Sequence, residues 1–425
     1  MKHILVCILL LFLSNAAFAF DQQTAVNNLL GGIKIKTIAQ EKDNDSFLLF
    51  KNHLKKSYPL IFKNCEKKSF GDYSLLIKVQ GCENKKQPIF LLGHFDTVGF
   101  NSDEWKYSPL GEIVNNKIYG RGTLDDKSST FAMLEAVEDL LKNNYTPKND
   151  IYILLGGDEE TGGKLGAGNI VSFLAEKNIK PRLVLDEGEF IIKQKNIGII
   201  GVSEKGIYKI RFEVKGDGGH AAYPSFNSPY KYTGELLKQL EGSQKPTKTN
   251  ILFSRTQSEF IESYARKNNT LAVTMISGSD FSNQVPSVIK IVADVRLLPN
   301  QDISTITDKI DKIISAKDLK GHVSYKVEEL TKPSPVSKTD SAEYSLLKNT
   351  IIESFPNTTV KNACTIGGTD SSKYYILTNN VYRFLPLSLN DEQIKLFHNK
   401  DEYIEINQYF NMIKFYKKLL VKFGE

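Results

Sequence analysis

The sequence predicts an α/β protein, a mostly parallel sheet flanked by helices, interrupted by an inserted α+β domain. Three observations predict it. From Phe20 to about Ser203, short apolar runs alternate with helical patterns, the mark of a parallel sheet covered by helices. Near Glu204-Lys205-Gly206 the texture changes to alternating strands, and Lys332-Pro333-Ser334-Pro335 marks a return to the first pattern. Lastly, several apolar runs end in clustered acids, and ligands of open α/β sheets sit at the carboxyl ends of strands. The expected organisation is therefore a leader over 1–19, a first domain in two parts over 20–205 and 332–425, and an inserted domain over 206–331.

The chain opens on Met1-Lys2-His3, an apolar run from Ile4 to Leu13, and Ala17-Phe18-Ala19. A basic start, a run too short to span a bilayer and an A-x-A-like site read as an export signal cleaved before Phe20. The expected destination is the periplasm or the medium, with no stable membrane insertion after cleavage. The leader carries one lysine and no acid, so its removal lowers the formal charge from +6 to +5. The lysines are spread along the chain. Lys414, Lys417, Lys418 and Lys422 read as the wet side of a helix whose apolar side holds Tyr409, Met412, Ile413, Tyr416 and Leu420. Nothing in that pattern calls for nucleic acid. An exported destination permits a disulfide, and Cys65 with Cys82 is the expected pair, bracketing a hairpin arm over Phe70 to Lys78. Cys364 reads as a small buried residue, and the absence of Cys-x-x-Cys argues against a thiolate metal site.

Pro88 to Leu92, Ile151 to Leu155 and Leu183 to Leu185 read as central strands, continuous in apolar residues as buried parallel strands are. Ser128 to Asn143 reads as a helix with Met133, Ala136, Val137, Leu140 and Leu141 as its buried stripe. In the inserted block, Tyr208 to Lys215 and Ile289 to Leu297 read as strands, Gly216-Asp217-Gly218-Gly219 as a turn, and Ile303 to Ile314 as an amphipathic helix.

The acid-rich segments carry the chemistry. His94 and Asp96 close the first strand, and a metal-binding histidine needs such a carboxylate to orient its ring. Asp125 and Asp126 precede a helix; capping would explain one aspartate but not the Gly120-Arg121-Gly122 approach. Glu159 and Glu160 follow the second strand, where adjacent glutamates can divide into a ligand and a general base. Buried acids gathered in this way need a compensating positive charge.

The ordered set His-x-Asp, Gly-Arg-Gly-x-x-Asp-Asp-Lys, Asp-Glu-Glu-x-Gly-Gly and Leu-Asp-Glu-Gly resembles the dinuclear zinc exopeptidases. That family includes carboxypeptidase S, aminoacylase, carboxypeptidase G and succinyl-diaminopimelate desuccinylase. The resemblance implies that His94 and His398 are terminal ligands, that Glu160 supplies the carboxylate of one metal and Glu187 that of the other, and that each metal is held by one histidine and one of these carboxylates. Asp125 would bridge both metals and be followed by a cis peptide bond. Asp186 stays open as an alternative to Glu187. Asp96 would orient His94, and Glu159 would be the general base. His398 lies in Phe397-His398-Asn399-Lys400-Asp401-Glu402, where Asn399 replaces the family's usual glycine-like residue.

The inserted block resembles the family's lid. His220, in Gly218-Gly219-His220-Ala221-Ala222-Tyr223-Pro224, would help stabilise the oxyanion, and Arg296 would hold the substrate's carboxylate. Asn283 and the loop Gly367-Gly368-Thr369 would contact substrate. The resemblance implies two Zn2+ per chain, with Co2+ or Mn2+ able to substitute, and cleavage of an amide next to a free carboxylate by a metal-activated water. A homodimer through the lid is compatible with it, since some relatives take the residue matching His220 from a partner subunit. Peptides of carboxypeptidase or dipeptidase type and N-acyl amino acids both remain as substrates; Tyr223, Phe281 and the loop near Tyr374 are candidates for deciding between them. A peptide-binding protein on an inactive scaffold is the reading from another class, and the complete set of ligand candidates argues against it.

Overall fold

The computed structural model describes residues 20–41, 43–83, 86–242, 263–316 and 318–424. The leader expected over 1–19 lies outside the described residues. The chain divides into two compact units. One runs to Val202 and takes in Ser337–Ala363 and Thr369–Glu425; the other holds Ser203–Val336 and Cys364–Gly368.

The first unit is built on a ten-stranded sheet. Its centre is parallel: Ile151–Gly156, Ile89–His94, Leu183–Asp186 and Val381–Arg383 are neighbours in that order. Antiparallel strands flank them, Ser74–Val79 on one side and Ile197–Glu204 on the other. Strand residues alternate between two apolar layers, as the period of two requires. Ile89, Leu91, Ile153 and Leu185 face a core shared with the helices Gln22–Ile33, Lys127–Lys142 and Ile406–Phe423. Phe90, Leu92, Leu154 and Val184 face the helix Ala167–Glu176 and Tyr374. With both faces covered, the strands contain apolar residues throughout. Register sets His94 opposite Gly156 and Leu91 opposite Leu185, so the carboxyl ends of the central strands come level with one another.

The helix Lys127–Lys142 departs from a simple stripe, because every residue from Lys127 to Val137 is buried. It is a central helix packed on several sides. Two expectations about the first unit need correction. Lys417 is buried, ion-paired to the buried Asp139 on that central helix, whereas Lys414 faces water. The final helix is therefore enclosed further round than its lysines imply. Cys65 and Cys82 are free thiols. The hairpin forms, with Glu66 opposite Lys78, but Cys65 is buried while the chain past Val79 turns to the 147–148 segment, where the Cys82 N–H donates to the Pro147 carbonyl. Cys364 is half-buried.

The second unit has a four-stranded antiparallel sheet ordered Thr270–Ser277, Val288–Leu297, Gly206–Lys215 and Val323–Thr331. One face is apolar: Tyr208, Ile210, Phe212 and Val214 alternate with polar residues and pack with the helices Pro229–Gly242 and Ser304–Ala316. Among the described residues, no helix is long and apolar enough to cross a membrane.

Candidate metal centre

His94, Asp125, Glu160 and Glu187 stand at the end of a strand or on the loop leaving it, while His398 stands on the turn that follows the short helix Asp391–Ile394. His94 is the last residue of Ile89–His94, and its backbone is fixed from the adjoining helix entry. The His94 N–H donates to Asp126 Oδ2 at 3.3 Å, and the Thr130 hydroxyl donates to the His94 carbonyl at 3.0 Å. Asp126 sits at the N-cap of Lys127–Lys142 without capping it; its carboxyl is spent on the strand end instead. The loop before it passes close to the segment leaving that strand at Gly122, which has φ +90° and would place a Cβ 2.9 Å from Thr97 Cγ2.

Asp125 lies between the two histidines. Its Oδ1 is 2.8 Å from His94 Nε2 and its Oδ2 is 3.0 Å from His398 Nε2. The Asp125–Asp126 peptide is cis. Each imidazole has its own glutamate as well. Glu187 Oε1 lies 3.4 Å from His94 Nε2, and Glu160 Oε1 lies 3.2 Å from His398 Nε2. The latter contact lacks hydrogen-bond geometry, leaving a buried carboxylate oxygen with an open coordination direction. Two ligand triplets result, His94–Asp125–Glu187 and Asp125–Glu160–His398, sharing one aspartate. Imidazole nitrogens with carboxylate oxygens form the donor set that zinc favours, and the residues present fit such ions.

Charges point the same way. Burial drives Glu187 and Glu159 well above the ordinary carboxylate range, with the Asp125 charge adding to Glu187 and the Glu187 charge to Glu159. Burial would raise Asp125 too, but hydrogen bonds from His398 and His94 hold it below its usual value. Burial depresses His94, yet Glu187, Asp125 and Asp96 outweigh it and lift the imidazole well above its ordinary value. Asp125 and then Glu160 push His398 up to about 10. Carboxyls pushed up by one another and imidazoles held charged by them mark a crowding of acids that a bound cation would relieve.

Asp96 acts on more than one ligand. His94 Nδ1 is hydrogen-bonded to the Asp96 backbone carbonyl at 3.1 Å and lies 3.3 Å from Asp96 Oδ1, which together turn Nε2 toward Asp125. The same carboxylate accepts the backbone N–H groups of Glu159 and Glu160, each at 3.1 Å. It therefore fixes the glutamate turn along with the ring. Glu159 stays outside both triplets while feeling the charges of His94, Glu187 and Asp125. The turn itself needs Gly163, at φ +60°, where a Cβ would fall 1.8 Å from Asp370 Oδ1. Asp158, to which the sequence assigned no role, accepts the N–H groups of Leu165 and Gly166 at 2.7 Å and ties the turn to the next helix.

Asp186 and Glu187 differ in their partners. Asp186 accepts from Ser371 N at 2.8 Å and from Glu187 N at 3.0 Å, whereas Glu187 belongs to the His94 triplet. Arg121 and Glu402 are a further pair that the motifs contained without a role. They form a buried ion pair beneath the Asp125 and His398 loops. An arginine between two glycines beside a metal loop is the sequence signal that could have found them.

The remaining candidates divide between the units. His220 lies in the second unit, exposed, on a two-residue strand paired with Gln284–Val285; the Ala221 N–H donates to the Asn283 carbonyl, so His220 and Asn283 share one ribbon. Arg296 is in the second unit too, where Nε donates to Asp294 Oδ1 at 2.7 Å. Gly367 and Gly368 belong to the second unit and Thr369 to the first. Thr369 caps the turn Asp370–Ile376 by accepting from Ser371 N at 3.3 Å. Tyr374 is enclosed in the core, while Tyr223 and Phe281 are exposed.

A family model described as peptidase family M20/M25/M40 matches residues 90–422. The chain belongs to this family. As an M20 metallopeptidase it is a hydrolase acting on peptide bonds, and the family is metal-dependent. A probable carboxypeptidase S-like protein of Dictyostelium discoideum is 31% identical over 412 residues, covering 88% of this chain and 79% of its own length. A human N-fatty-acyl-amino acid synthase/hydrolase is 29% identical over 449 residues, covering 95% of this chain and 88% of its own. Among solved structures, an M20 family metallo-carboxypeptidase from Sulfolobus solfataricus matches with a TM-score of 0.74 at 18% identity, covering 94% of this chain and 99% of that one. The M20 fold, a catalytic α/β domain with a lid, is thus the fold of this chain.

Proposed function

We propose that this M20 member is an exported dinuclear zinc exopeptidase that hydrolyses an amide next to a free carboxylate, as a carboxypeptidase or dipeptidase does. One observation carries the reading: the two oxygens of Asp125 face different histidines, each with its own glutamate. His94 with Glu187 and His398 with Glu160 would hold the ions, Asp125 between them. Zinc held there would supply Lewis acidity, lowering the pKa of water and polarising the scissile carbonyl.

The chain's own residues would do the rest. Glu159, raised by burial and near the ligands without joining them, is suited to take a proton from water and pass it to the leaving amine. Asp96 keeps both His94 and the Glu159–Glu160 turn in place. In this reading His220 stabilises developing oxyanion charge, and Asn283, Gly367, Gly368 and Thr369 contact substrate. Arg296 binds the substrate's carboxylate through its fork, which Asp294 already orients. Homodimerisation through the lid belongs to the same proposal and is read by light scattering. Export rests on the pattern of residues 1–19 and is read by the mature N-terminus.

A second reading, an aminoacylase-type hydrolase of N-acyl amino acids, is favoured by the synthase/hydrolase relatives that span nearly the whole chain. A substrate panel separates the two. Zinc-loaded protein is given dipeptides, N-acetyl and long-chain N-acyl amino acids, and C-terminally amidated controls. Cleavage of dipeptides that is lost on amidation and chelation supports the exopeptidase; preference for acyl substrates moves the assignment to the acylase. No turnover on any substrate, with both ions bound, would overturn both.

A further inference from the structure

The loops carrying Asp125 and His398 are remote in sequence, and one buried ion pair ties them together. Arg121 Nη1 donates to Glu402 Oε2 at 2.7 Å, with side-chain exposures of 5% and 0%. The same guanidinium holds the backbone of the His398 loop. Its Nη1 donates to the Asn399 carbonyl at 3.0 Å and its Nη2 to the His398 carbonyl at 3.3 Å. Glu402, from beyond His398, holds the Asp125 loop in return. Its Oε1 accepts from Leu124 N at 2.7 Å and Gly122 N at 3.1 Å, and its carbonyl accepts from Gly120 N at 2.9 Å. Trp105 covers the guanidinium, its ring 5.1 Å from Arg121 Cζ.

The two histidines depend on this pair unequally. His94 closes a central strand, with its backbone fixed by Asp126 and Thr130 and its ring by Asp96. His398 has a half-exposed side chain, stands on a loop at φ +58°, and is anchored at its own carbonyl by Arg121. Asp125 is secured on the His94 side by the ring and by the Asp126 junction into the helix Lys127–Lys142. Loosening the pair therefore moves His398 away from Asp125 and Glu160 while leaving the His94 triplet assembled. A ligand set must be held within about 0.5 Å to work, so a small loop shift is sufficient.

We propose that Arg121 and Glu402 are positioning residues that set the His398 loop against Asp125, and thereby govern metal occupancy at the His398–Glu160 position alone. The inference rests on the two-metal reading. Removing one partner would strand a buried charge, so the double variant Arg121→Met/Glu402→Gln, which removes both, is the primary test. Arg121→Lys keeps the charge and loses the fork, and His398→Ala provides the standard for a lost position.

Zinc is counted in the mature protein after equilibration in zinc buffers, and the melting temperature of each metal-free chain is recorded. Wild type is expected to hold two ions. The double variant and Arg121→Lys should hold the first with wild-type affinity and the second about 10–100-fold more weakly, the range typical of lost ligand-orienting partners. The double variant should match His398→Ala in which ion it loses. Wild type with two ions and variants retaining both at unchanged affinity would overturn the positioning role alone. Loss of both ions together would show a general structural brace and overturn its selectivity. Fewer than two ions on wild type would overturn the two-metal reading and this inference with it. Should the double variant not fold, Glu402→Asp, which keeps the pair but shortens its reach, is expected to lose the same ion.

Discussion

The two halves of the candidate metal centre are built differently. The His94 half belongs to the sheet: a buried imidazole at a strand end, with Glu187 directly after the neighbouring strand. The His398 half belongs to loops, with a side chain 51% exposed and its position set by hydrogen bonds to a buried arginine. Asp125 joins the two. The lesson is that a shared carboxylate allows one centre to combine a ligand site fixed by the fold with one fixed by a local brace. The fold-fixed site should bind first and tolerate less change around it.

The largest expected effect comes from the group outside both halves. Glu159→Ala should keep both ions and lower kcat by about 10²–10⁴-fold, as loss of a general base does; loss of metal would instead make Glu159 a ligand. Next is Asp96→Asn, which blurs the comparison, because one carboxylate serves the His94 ring and the turn carrying Glu160. It should weaken both ions, each by about 10–100-fold, measured by competition with a chelator. An effect confined to the His94 ion would show that the contacts to the glutamate turn are not needed.

The histidines themselves sharpen the contrast. Each alanine variant should lose one ion, but only His94→Ala should also lower the melting temperature of the metal-free chain, by several degrees, because it empties a buried site. Equal melting temperatures would remove the distinction between fold-fixed and loop-fixed halves. The smallest effect is a control remote from the ligands. Burial pushes Glu135 up to about 7, against hydrogen bonds from Asn28 and Tyr58. A carboxyl whose folded pKa lies above its unfolded value binds more protons when folded, so its contribution declines as pH rises from about 4.5 to about 7. Glu135→Gln should flatten the fall in melting temperature across that window by a few degrees, without altering zinc content.

Much of this arrangement is legible in the sequence, and the exceptions have physical causes. Central strands show themselves because strands buried on both faces are apolar throughout, so the acids that end them mark the carboxyl edge of the sheet. The second unit shows itself through the alternation of Tyr208, Ile210, Phe212 and Val214 over one packed face. What spacing cannot convey is the direction of a side chain when two acids are adjacent. Asp186 and Glu187 differ only in that one meets the Ser371 N–H and the other His94. Lys417 misleads because its charge is answered by Asp139, almost three hundred residues away in sequence. Cys65 and Cys82 mislead because the hairpin between them is real while the chain beyond Val79 leaves in another direction. Arg121 and Glu402 likewise reveal their purpose only when two distant loops are seen together.

The most direct test of the central claim is an anomalous difference map of zinc-loaded crystals, with data on both sides of the zinc edge. Two peaks are predicted, one against His94 and Glu187 and the other against His398 and Glu160, with Asp125 touching both. A single peak, or two peaks that do not share Asp125, would show that Asp125 does not join two ion sites.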